Sequence, residues 1–400
     1  MHTNNASDQA TRELERLLAL PLTEVCQWEN SLFDELAGSL SNSFVLFGAG
    51  GLGRKTLMGL RAIGIEPLAF TDNNPSLHGR HINGLRVLST AQAAHEFGKT
   101  AIFLITVYTD SAPGGIELIK KNLTELGCRK VLSFVPLYWK HPVQFLPHYV
   151  YDLPHKLIES AESIRKAWSL FEDEISLNEY LAQIHWRLNP EFDQIPAQAD
   201  QEIYFPPDLF KLDKNEVFVD CGAYRGDTLR SFLQQTKGQF KTLLAFEPDP
   251  ANYKELLDLV SSLPRDIGQR IKTSPLALGS QSEQLYFDAQ GIASSSVSTS
   301  GSIQIQSEAL DMLLADESPT YIKMDIEGAE VDALIGASQS IRKHLPILAV
   351  SVYHHQDHIW NVPLMIHSLS NRYKFYLRRY TPRVLDDLVL YAIPASRELL

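Results

Sequence analysis

The sequence predicts an α/β chain made of two parallel-sheet domains joined by a helical connector. Three observations predict it. Apolar strand patterns alternate with amphipathic helix patterns in two separate stretches, the pattern of a parallel sheet. Each stretch opens with a strand that runs into a glycine turn and then a helix: "VLFGAGGLGRKT" at 45–56 and "VFVDCGAYRGDT" at 217–228. At 400 residues the chain is also too long for one ordinary core.

The elements follow in order. Residues 1–40 form an N-terminal helical segment, with helical spacing over 8–40 that breaks near Pro21. Residues 41–140 form the first α/β domain. "SFVLFGAG" is a buried strand, "GLGRKTLMGLRAIG" a helix closed by Gly64, and "EPLAFTDNNP" a strand ending at Asp72. "AIFLITVY" and "KVLSFVPLYW" read as further strands. Residues 141–215 are the connector, with helical stretches in "LIESAESIRKAWSLFED" and "SLNEYLAQIHWRL". Residues 216–400 form the second α/β domain, where "QLYFDA" is expected to fold back on "IKTSPLALGS" as a hairpin, and "YKFYLRRY" and "DLVLYAI" to pair at the sheet edge. "ASSSVSTSGS" reads as a flexible loop.

Composition narrows the function. The formal charge is -12, so a basic face for nucleic acid or anionic membrane is not expected. Three widely spaced cysteines, Cys26, Cys128 and Cys221, form no disulfide framework or zinc signature and suit a reducing compartment. The first residues show no signal-peptide pattern, and the longest apolar run near the end, "LPILAVSVY", is too short for a bilayer. A cytoplasmic protein acting on small molecules is expected.

The two glycine turns differ in spacing. Gly48, Gly50 and Gly53 satisfy G-x-G-x-x-G, and Asp72 ends the next strand, which makes the first domain Rossmann-like. These four are candidate nucleotide-binding residues, with phosphates at the helix N-terminus and Asp72 on a ribose. The run "D-N-N-P…G…I-N-G…V-L" from Asp72 to Leu88 resembles the Rossmann-like N-terminal domains of bacterial sugar-modifying enzymes. The second turn has only Gly222 and Gly226, so it lacks the pyrophosphate spacing.

In the second domain the strand ends gather Asp220, Gly222, Glu247, Asp325, Glu327, His354 and His355. Ligands of open α/β sheets sit at such carboxyl ends. Gly222 allows close backbone approach, Glu247 is placed to accept two ribose hydroxyls, and Asp220 can support an ammonium directly or through water. A cofactor with a ribose and an amino-acid tail but no pyrophosphate fits, and S-adenosylmethionine is one. Here "FVDCGAYRGDT", "LLAFEPDPANYKEL", "PLALGS", "LDMLL" and "YIKMDIEGAEVDALIGA" resemble, in this order, the FkbM family of S-adenosylmethionine-dependent methyltransferases over residues 216–393. The resemblance implies a class I methyltransferase fold and methyl transfer to a hydroxyl of a sugar, nucleotide-sugar, polyketide or similar small molecule. The candidate donor-binding residues are Asp220, Gly222, Ala223, Tyr224, Gly226, Thr228, Glu247, Asp325 and Glu327. Cys221 and Tyr224 depart from the smaller or amide side chains common in that loop.

Methyl transfer to a hydroxyl needs a group to take its proton. His354 or His355 is the candidate base and Asp325 the rival. Glu330 reads as structural, paired with Lys323 or a backbone group. "HHQDH" invites a metal, with Asp325 and Asp357 as added oxygens, but matches no standard signature, and no metal is assigned. Two other functions stay open: a nucleotide-sugar-binding protein whose second domain is an inactive scaffold, and an NAD-dependent oxidoreductase that uses Gly48 to Gly53. The second lacks any Tyr-x-x-x-Lys or other hydride-transfer set.

Overall fold

Two separate parallel sheets carry the two glycine turns. The structure is a computed structural model, and it describes residues 3–107, 115–189, 196–287, 303–314, 316–381 and 387–399. "ASSSVSTSGS" lies outside the described residues. The chain divides into a smaller unit, Leu18–Glu159, and a larger unit, Met1–Leu17 with Ser160–Leu400. Among the described residues no helix is long and apolar enough to cross a membrane.

The smaller unit holds β1 (Phe44–Phe47), β2 (Ala69–Thr71), β3 (His81–Ile82), β4 (Leu85–Leu88), β5 (Ile102–Ile105) and β6 (Lys130–Ser133). Their order is β3-β4-β2-β1-β5-β6, parallel apart from β3. The central strands are buried on both faces, which is why β1 and β5 are continuous apolar runs, "FVLF" and "IFLI". The expected strand "KVLSFVPLYW" stops at Ser133 and becomes a helix, Val135–Lys140. Pro136 sits in the first turn of that helix, where its missing N–H costs nothing; a central strand would need that donor.

The larger unit holds β7 (Val217–Cys221), β8 (Thr242–Phe246), β9 (Ile271–Ser274), β13 (Tyr321–Met324), β14 (Ile347–Ser351), β15 (Tyr373–Arg379) and β16 (Leu388–Pro394) in one sheet. Read from the far edge the order is β9-β8-β7-β13-β14-β16-β15, with the last two antiparallel, as expected for "YKFYLRRY" and "DLVLYAI". A small second sheet joins β10 (Ala277–Gly279), β12 (Ile303–Ala309) and β11 (Glu283–Phe287). This corrects the hairpin expectation. "IKTSPLALGS" splits at Pro275 into β9 and β10, and β11 pairs with β12, Leu285 opposite Ile305. The alternation in "IQIQ" was the signal for β12.

The stretch 141–215, expected as one connector, is divided between the units at 159/160. Its later helices belong to the larger unit for an electrostatic reason. The helix Glu174–Leu188 packs beside edge strand β15, whose Arg378 and Arg379 are buried and need counter-ions. Asp173 and Glu179 supply them, at 2.6 Å and 3.1 Å. Further on, Tyr204, Phe205 and Phe210 join the apolar cluster of Phe218, Tyr321 and Tyr391 on the sheet. That packing brings Tyr204 to the strand ends.

Candidate functional site

The glycine turn after β7 is shaped by its neighbours. Gly222 has φ 83°, and a Cβ there would lie 1.9 Å from the Asp325 carbonyl oxygen, so only glycine fits. The Gly222 and Ala223 N–H groups both donate to the Phe246 carbonyl, at 3.0 Å and 2.9 Å. Gly226, at φ 79°, turns the chain into the helix Asp227–Thr236. Glu247, one residue past β8, accepts the Tyr224 N–H at 2.8 Å and the Asp249 N–H at 2.9 Å. Burial pushes the Glu247 carboxyl up to about 7, against those two N–H bonds, which favour its charged form.

A cavity of about 360 Å³ opens at these strand ends. Gly222, Tyr224, Thr228 and Glu247 line it, with Leu276 to Leu278 beyond β9. Asp325, Glu327, Lys323, Tyr204, Tyr353 and Asp387 line it too. The volume falls within the ordinary range for small-molecule sites, roughly 300–1,000 Å³. Gly222 brings backbone without a side chain to the cavity and Glu247 a carboxylate placed for hydroxyls, a lining that fits an adenosine-bearing donor.

Asp220 takes a different place from the one expected. It is fully buried and its carboxylate lies 3.0 Å from Lys323 Nζ, so it faces no ligand ammonium directly. Burial raises its pKa to about 6, opposed by Lys323. Lys323 in turn stays charged: burial works against it, but Asp220 raises its pKa. Its ammonium donates to the Gly222 carbonyl at 2.6 Å, so the pair stiffens the glycine turn from beneath. Glu330 therefore does not pair with Lys323, although its backbone pairing is present. Ala223 is also wholly buried and contributes packing and its N–H.

The candidate bases separate clearly. Asp325 lines the cavity, with Oδ2 accepting from Tyr204 Oη at 2.8 Å and Oδ1 from Tyr353 Oη at 3.2 Å. His354 does not line it. Its ring is 2% exposed and its Nδ1 lies 2.8 Å from Glu330 Oε1. Burial alone would lower the His354 pKa, but Glu330, with Asp325 and Glu327, raises it to about 9. A ring already protonated at neutral pH cannot take a proton. His355 is exposed, sits against Gly328 and lines no part of the cavity. His354 and His358 do converge, on Glu330, though the helix begins only at His358. Asp325, Glu330 and His354 bring donor atoms within 4.8 Å of one another, with the Glu330 oxygen already engaged by His354 Nδ1 and two backbone N–H groups. Asp357 lies outside that group and bonds Asn361 instead.

Tyr204 escaped the sequence reading because no motif surrounds it. Its backbone sits at φ 69°, held by its N–H on Tyr391 Oη at 3.0 Å and its carbonyl under Tyr321 Oη. Lys323 had a signal, a lone lysine inside the apolar strand "YIKM".

In the smaller unit the four nucleotide candidates do come together. Gly48 has φ 110°, and a Cβ would meet Val107 at 2.3 Å and the Thr106 carbonyl at 2.8 Å. A Cβ on Gly53 would lie 1.9 Å from the Gly48 carbonyl, whereas Gly50 faces open space. Asp72 accepts the Ala49 N–H at 2.9 Å and the Asn74 N–H at 2.8 Å.

Comparison with known proteins bears on the larger unit. The methyltransferase FkbM domain model matches residues 220–381. Those residues form an FkbM methyltransferase domain. A solved methyltransferase FkbM from Methylobacillus flagellatus KT is 23% identical and superposes with a TM-score of 0.75. The match covers 97% of this chain and 99% of that one, so the two share a fold through both α/β units. A putative rRNA-methylase from Clostridium thermocellum, 9% identical, matches over 48% of this chain and 90% of its own with a TM-score of 0.31, too low to argue from. No curated protein matches the chain.

Proposed function

We propose that the FkbM domain binds S-adenosylmethionine and methylates a hydroxyl oxygen of a small molecule of the sugar or nucleotide-sugar class. The observation that carries this reading is one cavity shared by Gly222, Glu247 and Asp325, residues from the ends of three adjacent strands. Bound there, the donor supplies an electrophilic methyl group. Gly222 and Thr228 admit and border it, and Glu247 accepts its ribose hydroxyls. Asp325 faces the acceptor and takes the hydroxyl proton, with Tyr204 and Tyr353 fixing its two oxygens. Holding the donor methyl group and the acceptor oxygen in line and close together lowers the barrier to such a transfer. The test is calorimetry of the full chain with S-adenosylhomocysteine. Micromolar binding that Glu247→Ala abolishes while the melting temperature holds supports the site; no binding by folded wild type sinks it.

The smaller unit is proposed to hold a nucleotide that has a free ribose diol, with Gly50 facing the phosphates and Asp72 the ribose. What favours this is the separate geometry of its glycines: one turned, one open, one packed. Titration with ADP-ribose, with Asp72→Asn as the control, tests it. A change in nicotinamide absorbance with a sugar nucleotide would favour the oxidoreductase instead.

A further inference from the structure

Asp325 and Glu327 reach the cavity from one short turn, and that turn is strained. Glu327 has φ 55°, and Gly328 follows at φ 107°, a conformation that favours glycine, with the His355 ring packed over it. A non-glycine residue in that region persists only where its surroundings hold it. What holds this one lies behind it. Glu330 Oε1 accepts the Ile326 N–H at 2.9 Å and the Gly328 N–H at 3.4 Å, from both sides of Glu327. The same oxygen lies 2.8 Å from His354 Nδ1. His354 Nε2 faces Asp325 Oδ1 at 3.5 Å and Glu327 Oε2 at 3.8 Å.

We infer that Glu330 and His354 form a buried ionic brace that positions the Asp325 and Glu327 carboxylates at the cavity. Both are positioning residues, and the inference rests on the proposed methyl-transfer site. A neutral imidazole has a single N–H, so one of its nitrogens would present a lone pair to a carboxylate. The charged ring donates to Glu330 through Nδ1 and holds its Nε2 side, also positive, at ion-pair distance from Asp325 and Glu327. Stripping one partner from a buried pair leaves an uncompensated charge, so each group enforces the state of the other. Further neighbours among the described residues are His358, with Nδ1 3.3 Å from Glu330 Oε2, the Tyr353 ring, 4.2 Å from that of His354, and His355, ring to ring with His358. Glu330 is correspondingly held well below the usual range: burial would raise it, and His354 and His358 more than reverse that.

Two measurements on the full chain test the brace. The first is the NMR titration of ring nitrogens, with His354 assigned through its contact with the Tyr353 ring. Wild-type His354 is expected to keep both ring protons through pH 8, and Glu330→Gln to return it to the ordinary histidine range, about 6.5. The second is the ratio of affinities for S-adenosylmethionine and S-adenosylhomocysteine. His354→Gln removes a positive charge beside two carboxylates, so the ratio is expected to shift about fivefold toward the cationic ligand. A purely structural role would weaken both ligands alike and leave the ratio unchanged. Titration of wild-type His354 below pH 7, or an unchanged ratio, overturns the inference. Failure of the methyl-transfer reading looks different: wild type binds neither ligand, and the titration, which needs no ligand and no variant, still decides the brace.

Discussion

The two units place different residues at the same address. Strand registers align β1 with β7 and β5 with β13, so that Gly48 corresponds to Gly222. Two residues earlier, Leu46 pairs with Leu104 in the smaller unit, and Asp220 pairs with Lys323 in the larger. One sheet has a leucine pair beneath its glycine turn where the other has a buried ion pair. The strand-end carboxylates also correspond, since Phe47 pairs with Thr71 and Cys221 with Phe246, one residue before Asp72 and Glu247. Each accepts one N–H from the turn and one from two residues downstream. The difference teaches which features belong to the scaffold. Orienting the carboxylate through the turn works over a leucine pair, so the ion pair is not needed for it. What the ion pair adds is an ammonium beneath the Gly222 carbonyl and beside the cavity.

The largest expected effect follows from that. Lys323→Met leaves Asp220 buried and alone, and is expected to cost about 3–5 kcal/mol of stability in chemical denaturation. Replacing both members by leucine makes the larger unit like the smaller one there, and is expected to recover most of that loss while donor affinity stays impaired. If the double variant is no more stable than the single one, the leucine pair is not an equivalent solution and the comparison breaks. Next is Gly222→Ala. Its Cβ would meet the Asp325 carbonyl at 1.9 Å and its φ is positive, so a loss of about 3 kcal/mol is expected, with donor binding lost as well.

The two turns also show what was legible in the sequence. Gly48, Gly53 and Asp72 could be read from spacing because the turn itself fixes them: a Cβ on Gly53 would meet the Gly48 carbonyl, and Asp72 accepts the Ala49 N–H. Gly222 and Glu247 were readable from their place at the ends of adjacent strands, although what excludes a side chain at Gly222 is the Asp325 carbonyl, about a hundred residues later. Asp220 and His354 do lie at the strand ends, but their partners, Lys323 and Glu330, come from other elements. Burial and pairing decide the charge of such groups, and neither is visible in a linear pattern. Tyr204 was unreadable altogether: it reaches Asp325 only because Tyr321 and Tyr391, far along the chain, hold its backbone. The packing of the helix Glu174–Leu188 on the sheet was not legible, because the partners of Asp173 and Glu179 lie some two hundred residues later, on β15.

A middle-sized effect concerns pH and belongs to Glu247. Its folded-state pKa is raised, to about 7, so near neutrality part of the protein carries a protonated carboxyl. A ribose diol donates hydrogen bonds and favours the charged form. Affinity for S-adenosylhomocysteine is therefore expected to rise with pH through about 7, with proton release on binding, by up to about tenfold between pH 6 and 8. Calorimetry in buffers of different ionisation enthalpy reads the released proton directly. In Glu247→Gln the pH dependence should vanish and the affinity stay low. A flat profile in wild type would mean the diol is held elsewhere.

The smallest effect on stability separates the turns most finely. Register places Gly50 where the larger unit has Tyr224, two residues past the first glycine. Tyr224 takes φ 46° and lines the cavity with a full side chain, so no phosphate passes close to its backbone. Gly50 has φ -76° and nothing within 4 Å of where a Cβ would stand, so neither strain nor packing requires glycine there. Gly50→Ala is accordingly expected to change stability by no more than about 0.5 kcal/mol, measured by thermal melting. If a diphosphate lies against the start of the helix Gly51–Ala62, the same methyl group intrudes on it, and ADP-ribose affinity should fall about tenfold. Gly48→Ala is the contrasting control, since it lowers stability and affinity together. A Gly50→Ala protein that keeps both its stability and its nucleotide affinity would show that the open space over Gly50 holds no phosphate. The glycine there would then be a remnant of spacing rather than part of a site.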